Sequence, residues 1–158
     1  MGTEHIVTFL SESLFTVGVF VFFFIYALWR GRYALVNLIL GLYFALLISL
    51  YFPYYQTLKD NFGDSPIIPI ILFILFTILG VRLFRRHIPG DDYERTFQSF
   101  AQKILLTTAA TVLVMAYSFH ILPLTDIVHT SSFFQQLFAP AEYFFWWLIL
   151  PIIILFFA

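Results

Sequence analysis

Residues 13–29 read SLFTVGVFVFFFIYALW, residues 33–58 read YALVNLILGLYFALLISLYFPYYQTL, and only Arg30-Gly31-Arg32 separates them. Neither run holds an Asp, Glu, Lys or Arg. The apolar core of a bilayer is about 30 Å thick and takes about 20 helical residues to cross, within a range of about 17–25. The second run meets that length alone. The first meets it when its helix starts near Phe9 and takes Glu12 into the first turn. In hydrocarbon a backbone must satisfy its own N–H and C=O groups, which leaves helices and closed barrels. The two-residue alternation of a barrel strand is missing from both runs, so both are predicted as helices. The short Arg-Gly-Arg link makes them an antiparallel hairpin, with Gly31 taking the turn conformation that a side chain resists.

Three further charge-free runs follow, at residues 65–81, 104–125 and 143–158. The first of these reaches span length by extending through Arg82, which snorkels to the interface. The last does so by starting near Phe138, with Pro140 in its first turn, where proline is tolerated. The expected fold is therefore all-α, a single integral-membrane domain over residues 1–158. Five transmembrane helices are predicted at residues 9–29, 33–55, 66–84, 101–122 and 139–158. Residues 53–66 read as a loop rich in turn formers, with Pro66 and Pro69 opening the third span. Two interfacial amphipathic helices are expected near residues 93–102 and 125–138. Tyr93, Phe97, Phe100 and Ala101 recur at helical spacing, and Asp91 with Glu94 resembles a capping box.

The composition agrees. Only 11% of residues are charged, where a soluble domain carries roughly one in four. Phe alone numbers 22, and the mean hydropathy is +0.93. Seventeen charges, 8 basic and 9 acidic, are too few to solvate the outside of a soluble domain. A net charge of −1 gives no basic field for nucleic acid. Zero Cys removes disulfides, thiolate catalysis and Cys-ligated metals. The first run lacks a basic leader and a small-x-small cleavage site, so it reads as a span and not a signal peptide.

Seven of the eight basic residues, Arg30, Arg32, Arg82, Arg85, Arg86, Arg95 and Lys103, fall at the junctions of spans one–two and three–four. The positive-inside rule then places the N-terminus outside and the C-terminus inside.

The stretch Leu28-Trp29-Arg30-Gly31-Arg32-Tyr33-Ala34-Leu35, the second span with Gly41, and the basic end Arg82-Leu83-Phe84-Arg85-Arg86 together resemble the colicin V production protein family. The resemblance covers roughly residues 9–122. It implies a small multi-pass protein of the inner (plasma) membrane, with a role in secretion or envelope maintenance and no established chemistry to place on residues. The fifth, aromatic span departs from that pattern.

No P-loop, GxSxG, HExxH or dinucleotide motif is present, and no span centre holds an ionisable residue of the kind that marks ion carriers. The expectation is a non-enzymatic protein without cofactor or metal. His5, His120 and His129 are expected on the outer side with Glu4, Asp126 and Glu142, and Asp126 and His129, three apart, can meet on one helical face, which leaves a metal or pH-sensing reading open. Two residue sets stand out. Arg30, Arg32, Arg82, Arg85 and Arg86 are expected to contact anionic lipid or an acidic partner segment, with Asp91, Asp92 and Glu94 as competitors for them. Asn37, Gly41, Gly80, Thr107 and Thr111 are expected to pack helices together. The expected partners are the bilayer and further membrane chains, as a homo-oligomer or as a subunit of a larger complex. A homo-oligomeric channel lined by Asn37, Thr107, Thr111 and Ser118 is the remaining alternative.

Overall fold

The computed structural model describes residues 2–63, 65–88, 96–122 and 132–157, with the side chains of 13–63, 65–88, 100–122 and 133–157. Those residues form seven helices: α1 (Gly2–Arg30), α2 (Arg32–Tyr51), α3 (Tyr55–Phe62), α4 (Ile67–His87), α5 (Thr96–His120), α6 (Ser132–Phe138) and α7 (Ala141–Phe157). Helices α1, α2, α4 and α5 are long and apolar enough to cross a membrane, by length and composition. Helix α7 has 17 residues, about 26 Å at 1.5 Å per residue.

Several boundaries depart from the expected ones. Helix α2 stops at Tyr51 instead of residue 55, because Phe52 precedes Pro53 and is extended (φ −70°, ψ 110°), the conformation a following proline imposes. The expected loop 53–66 instead contains α3. Helix α4 runs on to His87, three residues past the expected end, and its last turn holds Arg85, Arg86 and His87. The amphipathic segment 93–102 and the fourth span are one helix from Thr96; residues 93–95 and the Asp91–Glu94 capping box lie outside the described residues. The interfacial helix expected at 125–138 is described only as α6, Ser132–Phe138. Pro140 does not open the fifth span: it sits between α6 and α7, and α7 starts at Ala141.

Gly31 alone links α1 to α2, at φ 79°, while its N–H closes the last turn of α1 on the Ala27 carbonyl at 2.9 Å. Helix α5 is central. Its Leu106, Ala109, Ala110, Leu113, Met115, Ala116 and Tyr117 are fully buried, and it touches α1, α2, α6 and α7. In lipid, helices associate through close packing and hydrogen bonds, and the three alanines let neighbouring backbones approach.

The second tight contact is α2 on α4. Asn37, Gly41 and Ala45, spaced by four, are all buried on α2. A Cβ on Gly80 would lie 2.9 Å from the Gly41 Cα, and one on Gly41 would lie 2.9 Å from the Val81 backbone nitrogen. The two backbones are thus in direct contact. Helix α4 packs almost wholly on α2, leaving Ile71, Ile74, Leu75, Ile78 and Leu79 exposed.

Helix α7 is held by polar ties to its neighbours. The Tyr43 hydroxyl donates to the Leu148 carbonyl, next to Trp147, whose carbonyl Pro151 leaves without a helical donor. Trp147 Nε1 donates to the Leu137 carbonyl at 3.0 Å, and His120 Nε2 lies 2.7 Å from the Phe138 carbonyl. Carbonyls that the end of α6 cannot bond within the helix are satisfied this way. The aromatic run 143–147 therefore divides: Phe144 and Trp147 point inward against His120 and Phe138, while Tyr143, Phe145 and Trp146 stay exposed.

Candidate functional site

The hairpin turn after α1 and the last turns of α4 bring arginines to the same end of the bundle, where they head a groove of about 600 Å³. One wall is Phe22, Tyr26 and Arg30 of α1, a stripe at four-residue spacing. The other is Thr77, Ile78, Val81, Arg82, Arg85 and Arg86 of α4, and Leu38 of α2 forms the floor. The volume lies within the range of about 300–1,000 Å³ common for small-molecule sites. Helices α1 and α4 run parallel on either side of α2, so the apolar ends of both walls coincide, and so do the arginines. No acidic residue among those described lines the groove. Asp91, Asp92 and Glu94, the expected competitors, lie outside the described residues, as does Arg95.

Arg32 is not part of this groove. Its guanidinium donates to Gln102 Oε1 of α5 and to the Tyr33 hydroxyl at 3.0 Å, and it lies 4.8 Å from the Tyr33 ring centroid. Arg30 and Arg32 are two residues apart, but Gly31 separates their helices, and that directs them to different neighbours. The five expected arginines thus divide into four around one groove and one locked to α5.

The five residues expected to pack helices are placed as follows. Asn37 is 3% exposed; its Nδ2 donates to the Ile88 carbonyl at 3.5 Å, while its Oδ1 is buried with no partner among the described residues. Gly41 and Gly80 meet at the α2–α4 crossing. Thr107 is fully buried, and its Oγ1 has no partner among the described residues. Thr111 is buried and donates to the Thr107 carbonyl at 2.8 Å. Ser118 likewise bonds the Val114 carbonyl one turn back at 2.7 Å. Asn37, Thr107 and Ser118 are enclosed by packing, whereas Thr111 edges an apolar groove beside Thr16, Thr108 and Met115. Ala45, which extends the Asn37–Gly41 row, went unread in the sequence, though its spacing was visible there.

Among the described residues no three His, Asp or Glu stand together as a metal site. Glu4, His5, Glu12, Asp126 and His129 lie outside the described side chains. His120 is spent on the Phe138 carbonyl and the Phe144 ring, with centroids 4.4 Å apart.

The chain matches no protein-family model, no curated protein and no solved structure.

Proposed function

We propose that this chain is a non-enzymatic, five-span protein of the inner (plasma) membrane. In this reading it acts by assembly, in the manner of the colicin V production proteins it resembles, in envelope or secretion processes. The observation that carries the reading is α4: a helix of span length that packs chiefly on α2, reaches α5 through Phe73 against Tyr117, and leaves Ile71, Ile74, Leu75, Ile78 and Leu79 facing outward. A second copy of the chain supplies further packing for such a helix, and a different membrane subunit is the second reading. The solute channel has less support. Asn37, Thr107, Thr111 and Ser118 are buried inside one chain, so copies meeting face to face would not bring them to a common path.

In this reading the arginine end faces the cytoplasm, the N-terminus lies outside and α7 completes the fifth crossing. The absence of Cys makes topology directly testable. Single cysteines at Ser65 and His87, treated with a membrane-impermeant maleimide, are expected to label in intact cells and only after permeabilisation, respectively. The reverse pattern overturns the orientation. Purification in mild detergent is expected to yield an oligomer or a complex; recovery as a lone monomer overturns the assembly reading.

A further inference from the structure

The geometry points to the groove between α1 and α4 as a binding site for one anionic glycerophospholipid. Its phosphate would sit among Arg30, Arg82, Arg85 and Arg86, with an acyl chain laid between Phe22, Tyr26 and Ile78. This rests on the membrane-spanning reading above and names the partner of the same site.

The argument starts from dimensions. From Phe22 to Arg30 is eight residues of helix and from Thr77 to Arg85 is another eight, about 12 Å on each wall. One leaflet of the hydrocarbon core is about 15 Å deep. About half of each wall's length is apolar, Phe22 to Tyr26 facing Thr77 to Val81, about 6 Å; the groove is charged at its mouth and apolar below over the upper part of a leaflet, the polarity order of a single phospholipid.

The charge is the second element. Positive-inside topology explains why basic residues lie at one end, and basic residues at helix C-termini offset the helix dipole. Neither accounts for four guanidiniums from two helices around one groove with no described acid lining it. Arg82 stands one turn deeper than Arg85 and Arg86, so the donors surround a volume instead of lying in a plane. Guanidinium forks match phosphate oxygens in pairs. A free phosphate or an acidic peptide would use the mouth but leave the apolar walls unfilled, so the lipid is the occupant that accounts for both parts.

The test uses the full chain in micelles with equimolar phosphatidylglycerol and phosphatidylcholine of identical acyl chains, retained lipid being read by native mass spectrometry. Phosphatidylglycerol is expected to dominate in the wild type and to withstand millimolar inorganic phosphate. Arg85→Gln with Arg86→Gln is expected to weaken its retention at least roughly 30-fold, for the loss of two charge-assisted hydrogen bonds to the phosphate. Ile78→Trp, which keeps every charge and fills the apolar part, is expected to weaken it as well. Arg32→Gln, which removes one charge outside the groove, is expected to leave it within about twofold.

Equal retention in the arginine double variant overturns the proposal. So does wild-type retention in Ile78→Trp, which would make the effect a general surface attraction, and so does displacement by inorganic phosphate. If the double variant does not fold, Arg82→Gln is read against Arg32→Gln, and equal retention in those two overturns it. A chain that does not insert into lipid nanodiscs would fail the membrane reading itself, whereas an inserted chain without lipid preference fails only this inference.

Discussion

Substituting Gly80 tests the α2–α4 contact most directly. In Gly80→Ala the new methyl carbon lies 2.9 Å from the Gly41 Cα and 3.1 Å from the Gly41 carbonyl oxygen. Carbon atoms favour separations of about 3.5–4.0 Å, and a helix backbone cannot rotate aside as a side chain does. The helices must part locally by roughly 0.6–1 Å. A gap of that size forfeits about a quarter to a half of each contact's roughly 0.1–0.2 kcal/mol, and over on the order of 50 atom pairs the loss is about 2 kcal/mol. Alanine also stiffens the helix, a gain of roughly 0.5–1 kcal/mol. Gly18→Ala carries that gain alone, since nothing lies within 4 Å of a Cβ there. The difference between the two variants thus isolates the crossing at about 2 kcal/mol, about 30-fold in the equilibrium constant. The assay is reversible denaturation in mixed micelles, read by a dye pair on cysteines placed at Tyr51 and Ile67 in this Cys-free chain. Gly41→Ala is expected to cost a similar amount, and the double variant less than the sum, because one separation of the helices relieves both clashes. A Gly80→Ala variant as stable as Gly18→Ala, or strictly additive costs, would refute the reasoning.

Two further substitutions probe single polar groups in the same assay. Tyr43→Phe removes the donor to the Leu148 carbonyl and is expected to cost about 0.6 kcal/mol, the mean for interhelical hydrogen bonds in membranes, together with faster hydrogen exchange around Ile152; unchanged exchange there would count against the tie. Thr107→Val replaces a buried hydroxyl that has no partner among the described residues by a methyl of the same shape, so stability is expected to hold or rise by up to about 1 kcal/mol; a loss of more than about 1 kcal/mol would show that the hydroxyl is bonded.

The spans were legible because the cost of a charge in hydrocarbon acts over some twenty residues at once, and runs such as 33–58 average out local ambiguity. Their ends are set by one or two residues and were read less well. Pro53 and Pro140 each carried the stop signal, yet the apolar residues around them favoured extending the span. Helix α3 was hidden by Asn61 and Gly63, turn formers that here close a helix instead of filling a loop. At the site, the arginines' common end followed from the alternation of spans. Their division did not, because it depends on the rotation of each helix about its axis. The four-residue spacing of Phe22, Tyr26 and Arg30 was the available signal, meaningful only once α4 supplied the opposite wall. The central place of α5 was marked by Ala109, Ala110 and Ala116, small residues whose value depends on neighbours that a sequence does not name.

The single-residue joint at Gly31 also sets how the protein sits against bilayers of different thickness. With one residue between α1 and α2, neither helix can slide along the other by more than about one Cα–Cα step of 3.8 Å. Their unequal lengths, 29 and 20 residues, must therefore be expressed entirely at the end away from the arginines. Untilted, α1 is about 44 Å long. At the usual transmembrane tilt of about 20° it still spans about 41 Å, some 11 Å more than the hydrocarbon. About seven residues of its first two turns thus stand in the headgroup layer or beyond. A thicker membrane draws those turns in without disturbing the hairpin, so α1 holds a reserve of length against hydrophobic mismatch that the 20-residue α2 lacks.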